Sequence, residues 1–489
     1  MRYWGLSALS HDASLAVVEN DQVVFAAHSE RYSRIKNDPF LAEALIAEAL
    51  TYGPPDAIAW YERPLLKRVR HIRAGQWAEA RSRADLPRQY LRALRLPFPI
   101  PEIHYASHHQ SHAAGSFATS NFDEAAVIVA DAIGEFRTFT VGYFRQRGPY
   151  AILHRRSYPD SLGLLYSAFT RRCGYRPNED EYIVMGMAAY GQPRYVDAIY
   201  EDFVEVRSPS FRLKINPHRG IGNWMPDASA EDLAASIQNV VENLMVNAAT
   251  WARHRTGSRN LVLSGGIALN CVANAKVARE AGFDNVWIFP NPGDAGSSVG
   301  AVAAVTGARL RWPGPYLGTP LAGEYPVEAL VKELTAGGAV GVANGRAEFG
   351  PRALGNRSLL ADPRPLNMKD QVNRIKGREP FRPFAPVVRV ERAHELFDMP
   401  VPTSPFMQFT ATCRRPAEYA AIVHRDGTSR VQTVDRAAHP GLYALLEAWE
   451  EQTGCPLLLN TSLNSRGEPL LNSAEDVAAF TARTGLQVY

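Results

Sequence analysis

Short apolar runs closed by glycine-rich turns recur along this chain, and they leave few folds open to it. The sharpest is Leu261-Val262-Leu263-Ser264-Gly265-Gly266-Ile267-Ala268-Leu269-Asn270, which reads as a strand, a double-glycine turn and a helix start. Related runs span Ala13 to Val18, Gln22 to Ala27, Ala125 to Ala130 and Asn260 to Leu263. Helical stretches lie between them, Ala42 to Leu50 and Asp232 to Arg253 among them. The alternation predicts an α/β fold with buried strands. Val17 to Val24 predicts a hairpin turning at Glu19-Asn20-Asp21.

A chain of 489 residues exceeds one ordinary core. The Pro/Gly-dense stretch 309–322 divides it into an expected domain 1–308 and a second, 323–489. The four cysteines form no C-x-x-C pair, which disfavours a disulfide framework or structural zinc and suits a reducing, cytoplasmic setting. The first residues do not read as a signal peptide. No apolar run approaches the roughly 18 residues of a membrane span, so no membrane partner is expected.

His108 and His112 are four apart, which on a helix puts both imidazoles on one face. The apolar run Val127-Ile128-Val129-Ala130 then ends in Asp131. Two histidines and a carboxylate leave coordination positions open, as a reactive metal needs. Asp294, in a second glycine turn, reads as a fourth ligand or as a helix N-cap. His11-Asp12, at a turn, reads as a base and its orienter, or as a turn stabilised by its own side chains.

The second domain carries arginines among glycines, prolines and aromatics. Arg352 lies in the stretch 345–358 and Lys376, Arg378 and Arg382 in 373–384, with Arg430 further on. Such clusters suit phosphates and carboxylates. Ser462 and Asn464 follow an apolar strand and can complete an anion site.

These residues carry a resemblance. His11-Asp12-Ala13-Ser14, Glu30 to Lys36, the His108/His112 segment, Tyr182 to Gly191 and Ser264 to Asn270, in this order, resemble the O-carbamoyltransferases of the nodulation and antibiotic-tailoring type. Their N-terminal domain is similar to the threonylcarbamoyl-tRNA transferases and has the actin-like, two-lobed ATPase fold. Lys376-x-Arg378 followed by Ser462-x-Asn464 resembles the YrdC-type domain that forms carbamoyl adenylate. The resemblance implies one metal, Fe(II) or another divalent ion, on His108, His112, Asp131 and Asp294. It implies a nucleotide at Ser264, Gly265, Gly266 and Asn270. It implies carbamoyl phosphate and ATP, with Mg2+, at Arg352, Lys376, Arg378, Arg382, Arg430, Ser462 and Asn464. A homodimer would fit the family. The chain ends at Gln487-Val488-Tyr489, slightly early for it.

The acceptor is read from one segment. Between Arg63 and Arg95 lie ten basic residues against two acids, Glu79 and Asp85, with Trp77 and Tyr90 interleaved. That strip reads as a phosphate-backbone contact with aromatics free to stack on bases, or as a solvated basic helical insert. The reading is a hydroxymethylated pyrimidine, 5-hydroxymethylcytosine in DNA, as the acceptor. A sugar or antibiotic hydroxyl is the alternative, and a tRNA-modifying transferase a further one. A peptidase is disfavoured by the missing H-E-x-x-H motif. A non-catalytic nucleotide-binding scaffold would bind ATP but release no pyrophosphate with carbamoyl phosphate.

Overall fold

A computed structural model describes residues 1–73, 76–77, 81–82, 86–145 and 148–489. The N-terminal part forms two lobes with the same strand order. In the first lobe, Gln22–His28, Ser14–Glu19 and Arg2–Ser7 make an antiparallel meander. Ala57–Trp60 and Glu102–Tyr105 extend it in parallel. In the second lobe the meander is Ala151–Ser157, Arg137–Arg145 and Glu124–Gly134, extended by Asn260–Ser264 and Asn285–Ile288. The chain is thus α/β with the two lobes expected, although no tandem repeat is visible in the sequence. The first hairpin turns where expected, with Asn20 and Asp21 at φ +48° and +64°.

Each lobe has its own core. The longest helix, Ala230–Thr256, is capped by the Ser229 hydroxyl and ends at Gly257 with φ +69°. It buries Leu233, Ile237, Val240, Val241, Leu244 and Ala248, a helical stripe facing the second sheet.

The lobes meet where helix His108–Ala118 crosses helix Ser297–Thr306. A glycine on each side permits the close crossing: a Cβ on Gly115 would lie 2.7 Å from Gly300 Cα, and one on Gly300 2.0 Å from the Ser111 carbonyl oxygen. Gly300→Ala therefore forces the helices apart. It is expected to cost about 1–3 kcal/mol of stability, as overpacked cores do, read as a lower melting temperature. Because Ser111 shares its helix with both histidines, metal affinity should fall with it.

The C-terminal part is a mixed sheet in the order Ala339–Ala343, Arg357–Ala361, Leu457–Ser462, Ala385–Arg389, Gln432–Val434. Gln487 and Tyr489 hydrogen-bond alongside the first of these strands. The Pro/Gly stretch 309–322 is packed rather than free. Arg311 pairs with the first hairpin, and Trp312 meets Trp287, Phe289 and Phe406 edge-on. Its last residues join strand Tyr316–Leu321, which pairs with Gly345–Glu348.

Candidate active site

Two polar centres lie in this framework. The first is built by the crossing helices. His108 and His112 project from one helix face, and Asp131 enters from the end of the second lobe's first strand. Asp294 comes from the turn before helix Ser297–Thr306 and caps no helix with its side chain, so the ligand reading is the one its placement favours. His108 Nε2 lies 3.1 Å from His112 Nε2 and 3.0 Å from Asp131 Oδ2. Asp294 Oδ1 lies 3.4 Å from the first and 3.3 Å from the second. All four donor atoms fall within 4.8 Å of one another. Donors about 2.1 Å from a shared ion are about 3.0–3.4 Å apart, so the set fits a divalent cation. Asp131 is nearly fully buried, which alone would raise its carboxyl; the hydrogen bond from His108 and the imidazole charges instead hold it down at about 2. Anionic oxygens and imidazoles suit Fe(II) among other ions.

The double-glycine turn supports this cluster. Gly265 has φ +86°, and a Cβ there would lie 2.3 Å from the Ala130 carbonyl oxygen. The turn can therefore press against the strand end, where the Gly266 amide donates to Asp131 Oδ1 at 3.1 Å. Ser264 is turned inward, donating to the His112 carbonyl and accepting from Ser116. Asn270 forms a reciprocal amide pair with Gln238 and caps the next helix. Both side chains expected at a nucleotide are thus engaged internally. His109 points away, with its Nδ1 3.0 Å from the Thr140 hydroxyl.

His11 and Asp12 sit beside the cluster on a turn tied to it by the Ser14 hydroxyl, which donates to the Ala295 carbonyl. Their side chains are 3.0 Å apart. Burial opposes the His11 cation, but the hydrogen bond and charge of Asp12, with the charge of Asp294, outweigh it and raise the imidazole to about 9.

The second centre is a cleft of about 620 Å³ between the C-terminal part and the second lobe. Arg352, Arg378, Arg382, Arg430 and Ser462 line it from one side, and Gln238, Cys271 and segment 182–193 from the other. The Arg378 guanidinium lies over Phe384 and that of Arg382 over Tyr182. Arg352 and Arg430 make no side-chain hydrogen bond or ion pair among the described residues, and Arg430 Nε is buried without a partner. Unpaired, recessed cations of one sign await an anion.

The Arg352 loop is held rigidly. Buried Glu348 accepts from the amides of Leu354, Asn356 and Arg357. Arg31 of the first lobe donates to the Gly350 carbonyl at 2.8 Å. A Cβ on Gly350 would lie 2.8 Å from the Pro290 carbonyl oxygen. The loop bearing Arg352 thus rests on the loop bearing Asp294, and the two centres share a wall.

The chain also matches two family models, "Carbamoyltransferase N-terminus" over residues 93–303 and "Carbamoyltransferase C-terminus" over 331–489. The chain belongs to the carbamoyltransferase family. Three relatives span almost all of it. A Synechocystis protein without an assigned function is 34% identical over 98% of this chain and 94% of its own length. Nodulation protein NolNO of Sinorhizobium fredii is 33% identical over 97% and 77%. The 3'-hydroxymethylcephem-O-carbamoyltransferase of Amycolatopsis lactamdurans is 28% identical over 97% and 95%. In this carbamoyltransferase the N-terminal match contains all four cluster residues, and the C-terminal match contains the cleft arginines. His11 and Asp12 precede both.

Several expectations are corrected by the carbamoyltransferase structure. Lys376 does not face the cleft. Its Nζ is buried and donates to the Ser462 carbonyl and hydroxyl and to the Asn464 carbonyl and side chain, so it fixes that loop from behind. Asn464 is half-buried and does not line the cleft; of the pair, Ser462 does. In the basic strip, Tyr90 is 8% exposed and receives the Leu41 amide, so it cannot stack on a base. Lys67 is spent on Glu62, Ser10 and the Leu9 carbonyl. Glu79, Arg83 and Asp85 lie outside the described residues. Arg31, Glu348, Arg357 and Tyr182 gained no role from sequence reasoning; the first three act through distant backbone carbonyls and amides that leave no local pattern.

Proposed function

We propose that this carbamoyltransferase joins carbamoyl phosphate to ATP in the arginine cleft and passes the carbamoyl group to a hydroxyl at the cluster. The observation carrying the proposal is the pairing of an acid-poor cation cleft with a divalent-ion donor set across one wall. In the cleft, Arg352, Arg378, Arg382 and Arg430 offset the repulsion between anions brought together, with Mg2+ accompanying the ATP. One water first cleaves carbamoyl phosphate to carbamate and phosphate; the carbamate oxygen then attacks the ATP α-phosphorus, forming carbamoyl adenylate as the α–β bond breaks and pyrophosphate leaves. An enclosed passage between the two centres would keep this easily hydrolysed intermediate from water.

His108, His112, Asp131 and Asp294 would hold Fe(II) or another divalent ion, which supplies Lewis acidity toward the carbamoyl oxygen. The acceptor oxygen attacks the carbamoyl carbon, its proton passes to His11 Nε2, and AMP departs. Asp12 holds the other ring nitrogen. The acceptor we favour is a small-molecule hydroxyl, consistent with the hydroxymethyl group named for the cephem relative. DNA carrying 5-hydroxymethylcytosine loses the support of Tyr90 and Lys67.

His11 raised to about 9 is charged at neutral pH and must lose its proton to act. Transfer is therefore expected to climb with pH, and Asp12→Asn should move that limb to lower pH. His11→Ala should slow transfer about 10²–10⁴-fold and spare pyrophosphate release. Loss of pyrophosphate release in His11→Ala would refute the assignment. A mass gain of one carbamoyl group on a hydroxymethyl cephem, a sugar or hydroxymethylcytosine DNA identifies the acceptor.

A further inference from the structure

The turn that carries His11 is strained. Residues 9–12 belong to no strand or helix, and two of them, Leu9 and Asp12, have φ of +71° and +51°. Residues with a Cβ seldom adopt that left-handed backbone, and it persists where the surroundings over-determine it. Backbone bonds fix the two ends of the turn: the Leu9 amide donates to the Pro39 carbonyl and the Ala13 amide to the Asp38 carbonyl. The residues leading into His11 are gripped by a buried lysine, Lys67, from helix Pro64–Arg73.

An ammonium has three protons to donate, and Lys67 places all of them. Its Nζ donates to the Leu9 carbonyl at 2.9 Å, to the Ser10 hydroxyl at 3.1 Å and to Glu62 Oε1 at 2.7 Å. Lys67 is 9% exposed and Glu62 4%. A buried ion pair adds little net stability, because desolvation of both charges offsets their attraction. What this pair supplies is direction: two of the three bonds go to Leu9 and Ser10, the two residues before His11. The helix bearing Lys67 is in turn tied to the metal cluster. The Arg63 amide, just before the helix, donates at 2.8 Å to buried Glu135, four residues beyond Asp131. A continuous run of contacts therefore sets His11 relative to Asp131, from Glu135 through the helix to Lys67 and the turn. Beyond His11, the Ser14 hydroxyl fixes the same turn to Ala295, beside Asp294.

We propose that Lys67 is a positioning residue for carbamoyl transfer, holding the strained turn so that His11 stays beside the cluster of His108, His112, Asp131 and Asp294. Lys67 acts through His11, so the inference rests on the base assigned to His11 above. Lys67→Met alone would leave Glu62 buried without its partner and can unfold the protein. The test therefore uses the full-length Lys67→Met/Glu62→Gln variant, which removes both charges, and Ser10→Ala, which removes one acceptor at an exposed position. The double variant should transfer carbamoyl about 10²-fold more slowly, the loss that misplacing a reacting group by about 1 Å produces. Ser10→Ala should lose about tenfold, as when a hydrogen bond to a charged group is removed. Both should keep the parent's pyrophosphate release, bound metal and melting temperature. In a His11→Ala background the same changes should cost transfer less than about threefold, because the residue they act through is gone. A merely structural role would multiply the losses in both backgrounds, and that result overturns the inference. So does parent-like transfer by the double variant and by Ser10→Ala beside an impaired His11→Ala. Parent-like transfer by His11→Ala instead refutes the base assignment, and the role of Lys67 falls with it.

Discussion

Asp131→Asn is expected to cut carbamoyl transfer about 10³-fold while leaving pyrophosphate release intact. Asparagine has nearly the same volume, and its oxygen can still accept the Gly266 amide that now meets Oδ1. The loss falls on the other side. Oδ2, 3.0 Å from His108 Nε2, becomes a neutral amide in a buried cluster of four donors. An anionic ligand disappears, and an amide nitrogen is turned toward the position an ion would take. Lewis acidity is worth several kcal/mol of charge stabilisation, so transfer should fall about 10³-fold. Metal content after dialysis should fall in parallel, measured by elemental analysis. The cleft lies across the wall, so carbamoyl phosphate-dependent pyrophosphate release should stay within about twofold of the parent. Full transfer by metal-free Asp131→Asn would refute the cluster's role.

The cluster illustrates what this sequence discloses. Its histidine pair is legible because helical periodicity alone puts His108 and His112 on one face. Asp131 and Asp294 are legible as carboxylates at strand and turn ends, but their convergence is not. It depends on Gly115 and Gly300 letting two helices touch, and those glycines are far apart in sequence with no pattern linking them. The two lobes follow from the resemblance, but their duplication leaves no repeat in the residues for a related reason: the two sheets share strand order, not side chains. The basic strip is only partly legible, because counting charges ignores which face they occupy. Lys67 and Tyr90 are used internally, while Leu65, Val69 and Ile72 sit outside, a helical spacing present in the sequence that points away from the core. Lys376 teaches the same lesson in the second domain. The Lys-x-Arg and Ser-x-Asn pairs do meet, but the lysine holds the loop from behind and the arginine faces the cleft.

The cleft arginines give the second large effect, with opposite signs in activity and stability. Burial, and then the charge of Arg430, work against the Arg352 cation; burial does the same at Arg430, with Arg382 adding to it. Neither has an acidic partner, and Arg430 Nε is buried without any. These recessed cations therefore repel one another, a cost proteins tolerate at functional sites. Removing one cation should relieve it. Arg430→Ala is expected to hold or raise the melting temperature of the ligand-free protein, where deletion of a large recessed side chain ordinarily lowers it. The same change should cut carbamoyl phosphate-dependent pyrophosphate release about 10²–10³-fold, the loss seen when one preorganised group facing developing charge is removed. Arg352→Ala should behave alike, and the double variant should lose less than the product of the two, because each single change already weakens the other's anion. Ligand stabilisation supplies an independent readout. Carbamoyl phosphate binds only the folded cleft and so raises the parent's melting temperature by mass action. In Arg430→Ala that rise should shrink. Arg364, paired with Asp362 away from the cleft, is the control: Arg364→Ala should leave both pyrophosphate release and the ligand-induced rise unchanged. A destabilised Arg430→Ala with normal pyrophosphate release would mean that the cluster is structural, and the cleft would lose its assignment.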